Sequence, residues 1–428
     1  MTAIVGVLNK HAVAIAADSA VTMGDTHKVV NSGNKIFTLS KYQPIGILTY
    51  SAADFMETPW EVIIKQYRKH LGATVKDHLE EYVSDFINYL SRQKYLLDDE
   101  LQHRSLFTQI FFFYKTCFNR TAKKYFERNI PFKLEDPNTI LSIKQEIIKL
   151  NEEIIKEDVC ESFADYDITS FRAYAKNDFD LFFQKGNIPM PLTISTKERA
   201  WFEEVVFNYI RSKMAITAFT GLVFTGYGDC EIYPSIMSLR ISAFLDGRLK
   251  FFIEDDRTYR ISNETPSCIV PYAQDDVIRT IMGGMYPGFE RIIEQVVRNS
   301  VLTYTGNIKK KVGSNPNYAP LLAELGKFNN DAFITSINRS IGNLMFDKYT
   351  RKLINTVAGL GKEDMANMAE SFISLTSLIR RMSPQEETVG GPVDVAVISK
   401  GDGFVWINRK HYFKPEYNYH FFENYFKM

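Results

Sequence analysis

A threonine at position 2, directly behind Met1, is the residue of this chain with the most chemistry to offer. A hydroxyl is a weak nucleophile until a base takes its proton. Removal of Met1 would leave Thr2 with a free α-amino group. Its ordinary pKa of about 7.7–8.0 lies far closer to neutrality than the lysine value of about 10.4. One residue would then supply both nucleophile and base, the N-terminal-threonine form of hydroxyl catalysis. An ammonium held nearby would keep that amine's pKa down and stabilise developing negative charge, and a carboxylate would hold the ammonium in place.

The first strands must position these groups. TAIVGVL and HAVAIAAD are β-branched and alanine-rich runs that meet at Asn9-Lys10, which reads as a hairpin turn. With the turn centred there, Leu8 faces His11 and Thr2 faces Ala17, so Asp18 lies beside the start of the chain. Taken alone, Asp18 also suits the end of a strand, where it would seed a turn with Ser19. A loop with Gly24, Asp25, Asn31, Ser32 and Gly33 follows, and then the short apolar runs KIFTL and IGILTY.

As an ordered set, TAIVGVLNKHAVAIAADSAVTMG, NKIFTL and GILTYSAADF resemble the opening of proteasome β-subunits and their bacterial relatives, which are N-terminal-nucleophile (Ntn) hydrolases. The resemblance covers about the first 60 residues, with weaker echoes in FTGYGD, the Asp246-Gly247 turn and GGPVDVAVISKGDGFVWI. It implies an α+β fold, a four-layer αββα sandwich of two antiparallel sheets. It also implies a threonine peptidase in which Thr2 is the nucleophile, Lys35 the ammonium and Asp18 its anchor. Backbone N–H groups at Tyr50 and Ser51 would form the oxyanion hole, where the family has a glycine. Val21, Leu48 and Ala52 would line an apolar substrate pocket. Glu386, Thr388 and Val389 fall where the family places an aspartate and a serine that assist the N-terminus, and Val389 leaves the serine's role unfilled unless Thr388 takes it. Without the family, Lys35 reads as an ordinary strand-edge lysine. The resemblance implies a peptide or protein substrate, no metal or organic cofactor, and a homo-oligomer, with a ring as the family's usual form. Two other readings stay open: a catalytically silent scaffold or binding protein on the same fold, and an Ntn amidase acting on a small amide.

The rest of the 428 residues sets the frame. Residues 60–214 change texture: Ile143, Ile147, Leu150 and Ile154 recur at helical spacing behind the helix start Asp136-Pro137-Asn138. We expect a mostly helical insertion there, with loops around Gly186 to Pro191, and a proteasome-like domain formed by residues 1–59 and 215–428. The insertion could cap a site or recruit a partner protein. β-texture returns at Ile216, and Asp246-Gly247 and Gly401-Asp402-Gly403 mark two further hairpins. Residues 274–303, 319–347 and 363–381 read as helices. Lysine plus arginine equals aspartate plus glutamate at 51 each, which argues against nucleic acid or an anionic membrane as the main partner. Cys117, Cys160, Cys230 and Cys268 have no metal or disulfide spacing, and the seven histidines form no metal motif. The most apolar run, Leu106 to Phe118, is too short to span a bilayer, and the N-terminus has no secretory pattern, so a cytoplasmic protein is the expectation.

Overall fold

A computed structural model describes residues 2–23, 28–134, 136–184, 195–216, 218–314, 317, 320–321, 324, 330–383 and 389–426. The chain is a mixed α+β structure with antiparallel sheets, and it divides into two compact units. The first comprises Ser32–Arg260 with Val397–Trp406, and the second Thr2–Asn31, Ile261–Ala396 and Ile407–Met428.

In the second unit, β1 (Ala3–Asn9) pairs antiparallel with β2 (Val13–Ala17). The register differs from the sequence expectation: Ile4 faces Ala17 and Leu8 faces Val13, a shift of two residues. The cause is Asn9. Its Oδ1 accepts the N–H groups of His11 (2.8 Å) and Ala12 (3.2 Å), so Asn9 closes the strand and Lys10-His11 make the turn. A shift of two keeps every side chain on its expected face, and Asp18 stays beside the chain's start. The segment read as a loop after Asp18 contains a short hairpin, β3 (Val21–Met23) with β4 (Lys28–Val30). Gly24 and Asp25 lie outside the described residues.

The first unit holds the six-stranded sheet. Its strands are β5 (Ile36–Thr38), β6 (Ile45–Ser51), β9 (Thr220–Gly226), β10 (Ser235–Leu245), β11 (Arg248–Ile253) and β12 (Tyr259–Arg260), with β7 (Asp54–Phe55) and β8 (Thr58–Pro59) as a separate small pair. The order is β11-β10-β9-β6-β5, with β12 on β10. β-structure resumes at Thr220 rather than Ile216. Asp246 and Gly247 both take positive φ, 51° and 70°, the two-residue turn their types suggested.

Between β8 and β9 the described residues form seven α-helices: α1 (Trp60–Leu71), α2 (Leu79–Leu90), α3 (Asp99–Glu127), α4 (Pro137–Ile154), α5 (Ile168–Tyr174), α6 (Lys176–Phe183) and α7 (Thr196–Arg211). Each start has a local cause where a cap exists. Asp98 accepts from Leu101 N–H, Asp136 accepts from Asn138 N–H ahead of Pro137, and Ser195 and Glu198 form a capping box. Ile143, Ile147, Leu150 and Ile154 are the buried stripe of α4, as their spacing implied. Gly186 to Pro191 lie outside the described residues. The helices share one apolar cluster with the sheet, from Phe37 and Ile47 through Trp60, Phe86 and Phe113 to Phe244.

The second unit carries β13 (Ser267–Ala273), β14 (Asp394–Ser399) and β15 (Gly403–Asn408), in the order β13-β1-β2-β14-β15, with Val397–Trp406 of the last hairpin counted in the first unit. Its helices are α8 (Asp276–Gly283), α9 (Phe289–Gly313), α10 (Asn330–Met345), α11 (Arg351–Ala358), α12 (Lys362–Met382) and α13 (Tyr419–Phe426). The 274–303 segment is thus broken between α8 and α9, where Gly284 caps α8 at φ 70°. From 319 to 329 only isolated positions are described, so that part of the expected helix is largely outside the described residues. α12 packs on β1 and β2 through Met365, Ala366, Ala369, Phe372, Ile373 and Thr376.

Candidate functional site

In the second unit, β1 brings Thr2 to the head of a strand that is hydrogen-bonded on both sides. The Thr2 carbonyl accepts from Gln274 N–H at 3.0 Å, continuing the β1–β13 ladder. Thr2 itself is 6% exposed. Asp18 follows β2 and is 1% exposed. Its Oδ1 accepts Ala3 N–H at 2.9 Å, while Oδ2 accepts Ala20 N–H at 3.1 Å and Gly390 N–H at 3.2 Å. A carboxylate holding three backbone donors is well compensated for its burial. Ser19 completes the junction: its N–H reaches Gly390 O at 3.1 Å and its hydroxyl reaches Pro392 O at 2.5 Å.

Val389 is fully buried, and its carbonyl accepts the Ser377 hydroxyl at 3.3 Å. The segment Val389-Gly390 therefore meets Asp18 through its backbone. Glu386 and Thr388 lie outside the described residues. Val21 is half-buried on β3, opposite Val30.

The remaining sequence candidates belong to the first unit. Lys35 precedes β5; its carbonyl accepts Thr49 N–H at 2.9 Å, and the residue is 4% exposed. Such burial of an ammonium is costly without compensating partners. Leu48, opposite Ile36 on β5, is buried at 1% exposure. Tyr50 sends its side chain across the sheet onto Gly221, its partner on β9, and its hydroxyl donates to Glu254 Oε2 at 2.9 Å. Burial, then Glu254, push the Tyr50 phenol up to about 12, so it stays a neutral donor. Ser238 also donates to Glu254 at 2.7 Å, and Arg240 pairs with its other oxygen at 2.7 Å while stacking on Phe219. Sequence reasoning missed Glu254 and Arg240, since a single glutamate at a strand end carries no signature.

Ser51 takes φ 74° without being glycine, and so do Met56, Glu57 and Ala218 at 47°, 59° and 53°. The last three line a cleft of about 280 Å³ with Ala52, Phe219 and Thr220, beside the irregularity in β10 between Ile241 and Phe244. Left-handed non-glycine residues and bulges gather where a fold serves function. Among the described residues there is no group of three or more His, Cys, Asp or Glu that could hold a metal ion, and no helix is long and apolar enough to cross a membrane.

No family model matches this chain, and no curated protein matches it. Among solved structures it is similar to the Anbu (Gly-1) mutant from Hyphomicrobium sp. strain MC1, at 7% identity and a TM-score of 0.30, over 100% of this chain and 98% of that one. A likeness so slight decides nothing about activity.

Proposed function

We propose that this chain is an amide hydrolase, a threonine peptidase of the proteasome-like kind, with Thr2 as nucleophile once Met1 is removed. The observation that carries this reading is the 2.9 Å bond from Ala3 N–H to Asp18, a carboxylate fixed one residue from the nucleophile. In the mechanism, Thr2 Oγ attacks the substrate carbonyl, and the Thr2 amine takes the hydroxyl proton and passes it to the leaving amine. Lys35, anchored by Asp18, supplies the ammonium that tunes that amine. Successive N–H groups of a strand point to opposite sides. Thr49 N–H points at β5, so Tyr50 N–H points to β9 and is committed to the sheet. Ser51 N–H points to the β5 side beyond Lys35, and Ser51 is the donor assigned to the oxyanion. This reading takes the two sheets as the inner layers of an αββα sandwich, and Val21, Leu48 and Ala52 as the substrate pocket. Profiling peptides against small amides separates a peptidase from a small-amide hydrolase.

The test is intact mass with N-terminal sequencing, followed by labelling with a peptide boronate. A chain beginning at Thr2 that takes one adduct, lost in Thr2→Ala, is the expected result. Lys35→Ala is expected to lower kcat by on the order of 10²–10⁴. Labelling that survives in Thr2→Ala sinks the assignment. The burial of Thr2 and the apolar Val389 favour the second reading, a silent scaffold on the same fold; retention of Met1 in the purified protein would select it.

A further inference from the structure

Ser51 holds its φ of 74° at the exposed end of β6, in a region of backbone space that residues other than glycine rarely enter. Such a conformation persists only where the surroundings over-determine it. Both neighbours of Ser51 are fixed, and by one cluster within the first unit. On one side the buried Tyr50 donates its hydroxyl to Glu254. On the other, Ala52 N–H donates to Phe219 O at 3.3 Å. The Arg240 guanidinium lies 4.8 Å from the Phe219 ring centroid, and that ring meets the Tyr50 ring edge-on with centroids 6.5 Å apart. Arg240 in turn pairs with Glu254. These contacts form a circuit, Tyr50 to Glu254 to Arg240 to Phe219 to Ala52, whose two ends flank Ser51.

Glu254 is the hub of that circuit. It follows β11, is buried, and has its own N–H on Ser238 O at 2.8 Å, so the carboxylate starts from a fixed backbone. The carboxylate takes three donors, from Tyr50, Ser238 and Arg240. Desolvation offsets much of the attraction in a largely buried ion pair; what the Glu254–Arg240 pair supplies is a fixed position for both partners. We propose that Glu254 is a positioning residue for catalysis: through Tyr50 on one side and Arg240 and Phe219 on the other, it holds Ser51 left-handed and so aims the Ser51 N–H at the oxyanion. This role rests on the hydrolase reading above, in which that N–H is the oxyanion donor. Released from the cluster, Ser51 relaxes to the negative φ that serine prefers, the Tyr50–Ser51 peptide turns, and the N–H leaves its line. Glycine has no such preference, so the dependence on Glu254 follows from having serine at this position.

Hydrolysis of a fluorogenic peptide by the mature full chain tests this, with kcat expressed per boronate-labelled site so that any unfolded fraction cancels. Glu254→Gln keeps the side-chain shape and loses the charge. Tyr50→Phe keeps the ring over Gly221 and loses the tether. Each is expected to lower kcat by about 10–10²-fold. KM is expected to stay within about threefold, since the oxyanion bond strengthens only in the transition state. Adding Ser51→Gly to either variant is expected to return about tenfold of kcat, a coupling that a purely structural role of Glu254 would not show. Wild-type protein that takes no boronate and cleaves no peptide ends the hydrolase reading, and this role with it. Wild-type protein that labels and turns over separates the two. There, an unchanged kcat per site in Glu254→Gln, a loss carried by KM alone, or a loss that Ser51→Gly leaves in full removes Glu254 from the role while the reading stands. If Glu254→Gln does not fold, Tyr50→Phe decides on the same measurements.

Discussion

Asp18 is the clearest single-residue determinant of the second unit. It satisfies the N–H groups of Ala3, Ala20 and Gly390, which join the first strand, the turn after β2 and the approach to β14. Asp18→Ala would leave three buried donors without an acceptor. At about 1–3 kcal/mol each, the expected loss is about 3 kcal/mol or more, read as a lower urea midpoint. Asp18→Asn keeps one oxygen and is expected to lose less. Lys250 acts in the opposite sense. It is fully buried on β11, donates to Tyr209 O at 2.7 Å, and sits 4.1 Å from the Tyr209 ring. Desolvation outweighs the nearby Cys160 and brings its pKa from 10.5 down to about 7. The unfolded chain therefore binds more protons between about pH 7 and pH 10.5, and Lys250 makes stability rise with pH across that window. Below pH 7 both states are protonated and its contribution is flat. Lys250→Met is expected to stabilise the protein at pH 7 and to flatten that slope; a slope unchanged in the variant would remove Lys250 as its source.

At the level of strands and helices, the closest fit is Gly221 on β9 under the Tyr50 ring of β6. A Cβ on Gly221 would lie 1.9 Å from that ring, an overlap that only displacement of Tyr50 could relieve. Gly221→Ala is expected to cost about 3 kcal/mol, and Tyr50→Ala in the same chain to recover part of it, a coupling that a double-mutant cycle in urea measures. Contacts of this kind mark the limit of what the sequence discloses. The Asp136-Pro137 helix start and the Asp246-Gly247 turn were legible because a cap or a turn is decided within a few residues. The first hairpin was legible in kind but not in register, because Asn9 closes its turn with a side chain rather than occupying the turn centre. Asp18 could be expected near the chain's start, but its bond to Gly390 spans 372 positions. Glu254 lies 204 positions from the Tyr50 hydroxyl it accepts. Neither pairing leaves a local trace.

For the molecule as a whole, the helices between β8 and β9 are not a detachable ornament. β6 and β9 are paired from Ile45–Gly226 to Ser51–Thr220, so the long excursion leaves and rejoins at adjacent strands. Trp60 donates to Thr220 at 2.8 Å across that junction, and the helices fill the same apolar cluster as the sheet. Excising Trp60–Arg211 behind a short linker would uncover that cluster, and the product is expected to be insoluble or to lack a cooperative thermal transition. A soluble, cooperatively melting deletion would show that the sheet of the first unit closes its own core.

The position of β1 has a consequence for biosynthesis. This strand lies between β2 and β13, and its β13 partners, residues 267–273, are made more than 250 residues after it. At roughly 5–20 residues per second, the ribosome needs on the order of tens of seconds to deliver them. Throughout that interval both edges of a largely apolar hairpin are open on the nascent chain, the β2 edge until β14 follows, a template for wrong partners. A holdase bound to ribosome-stalled chains ending before residue 267, and released stepwise from chains that extend past β13 and then β14, would be the trace of that delay.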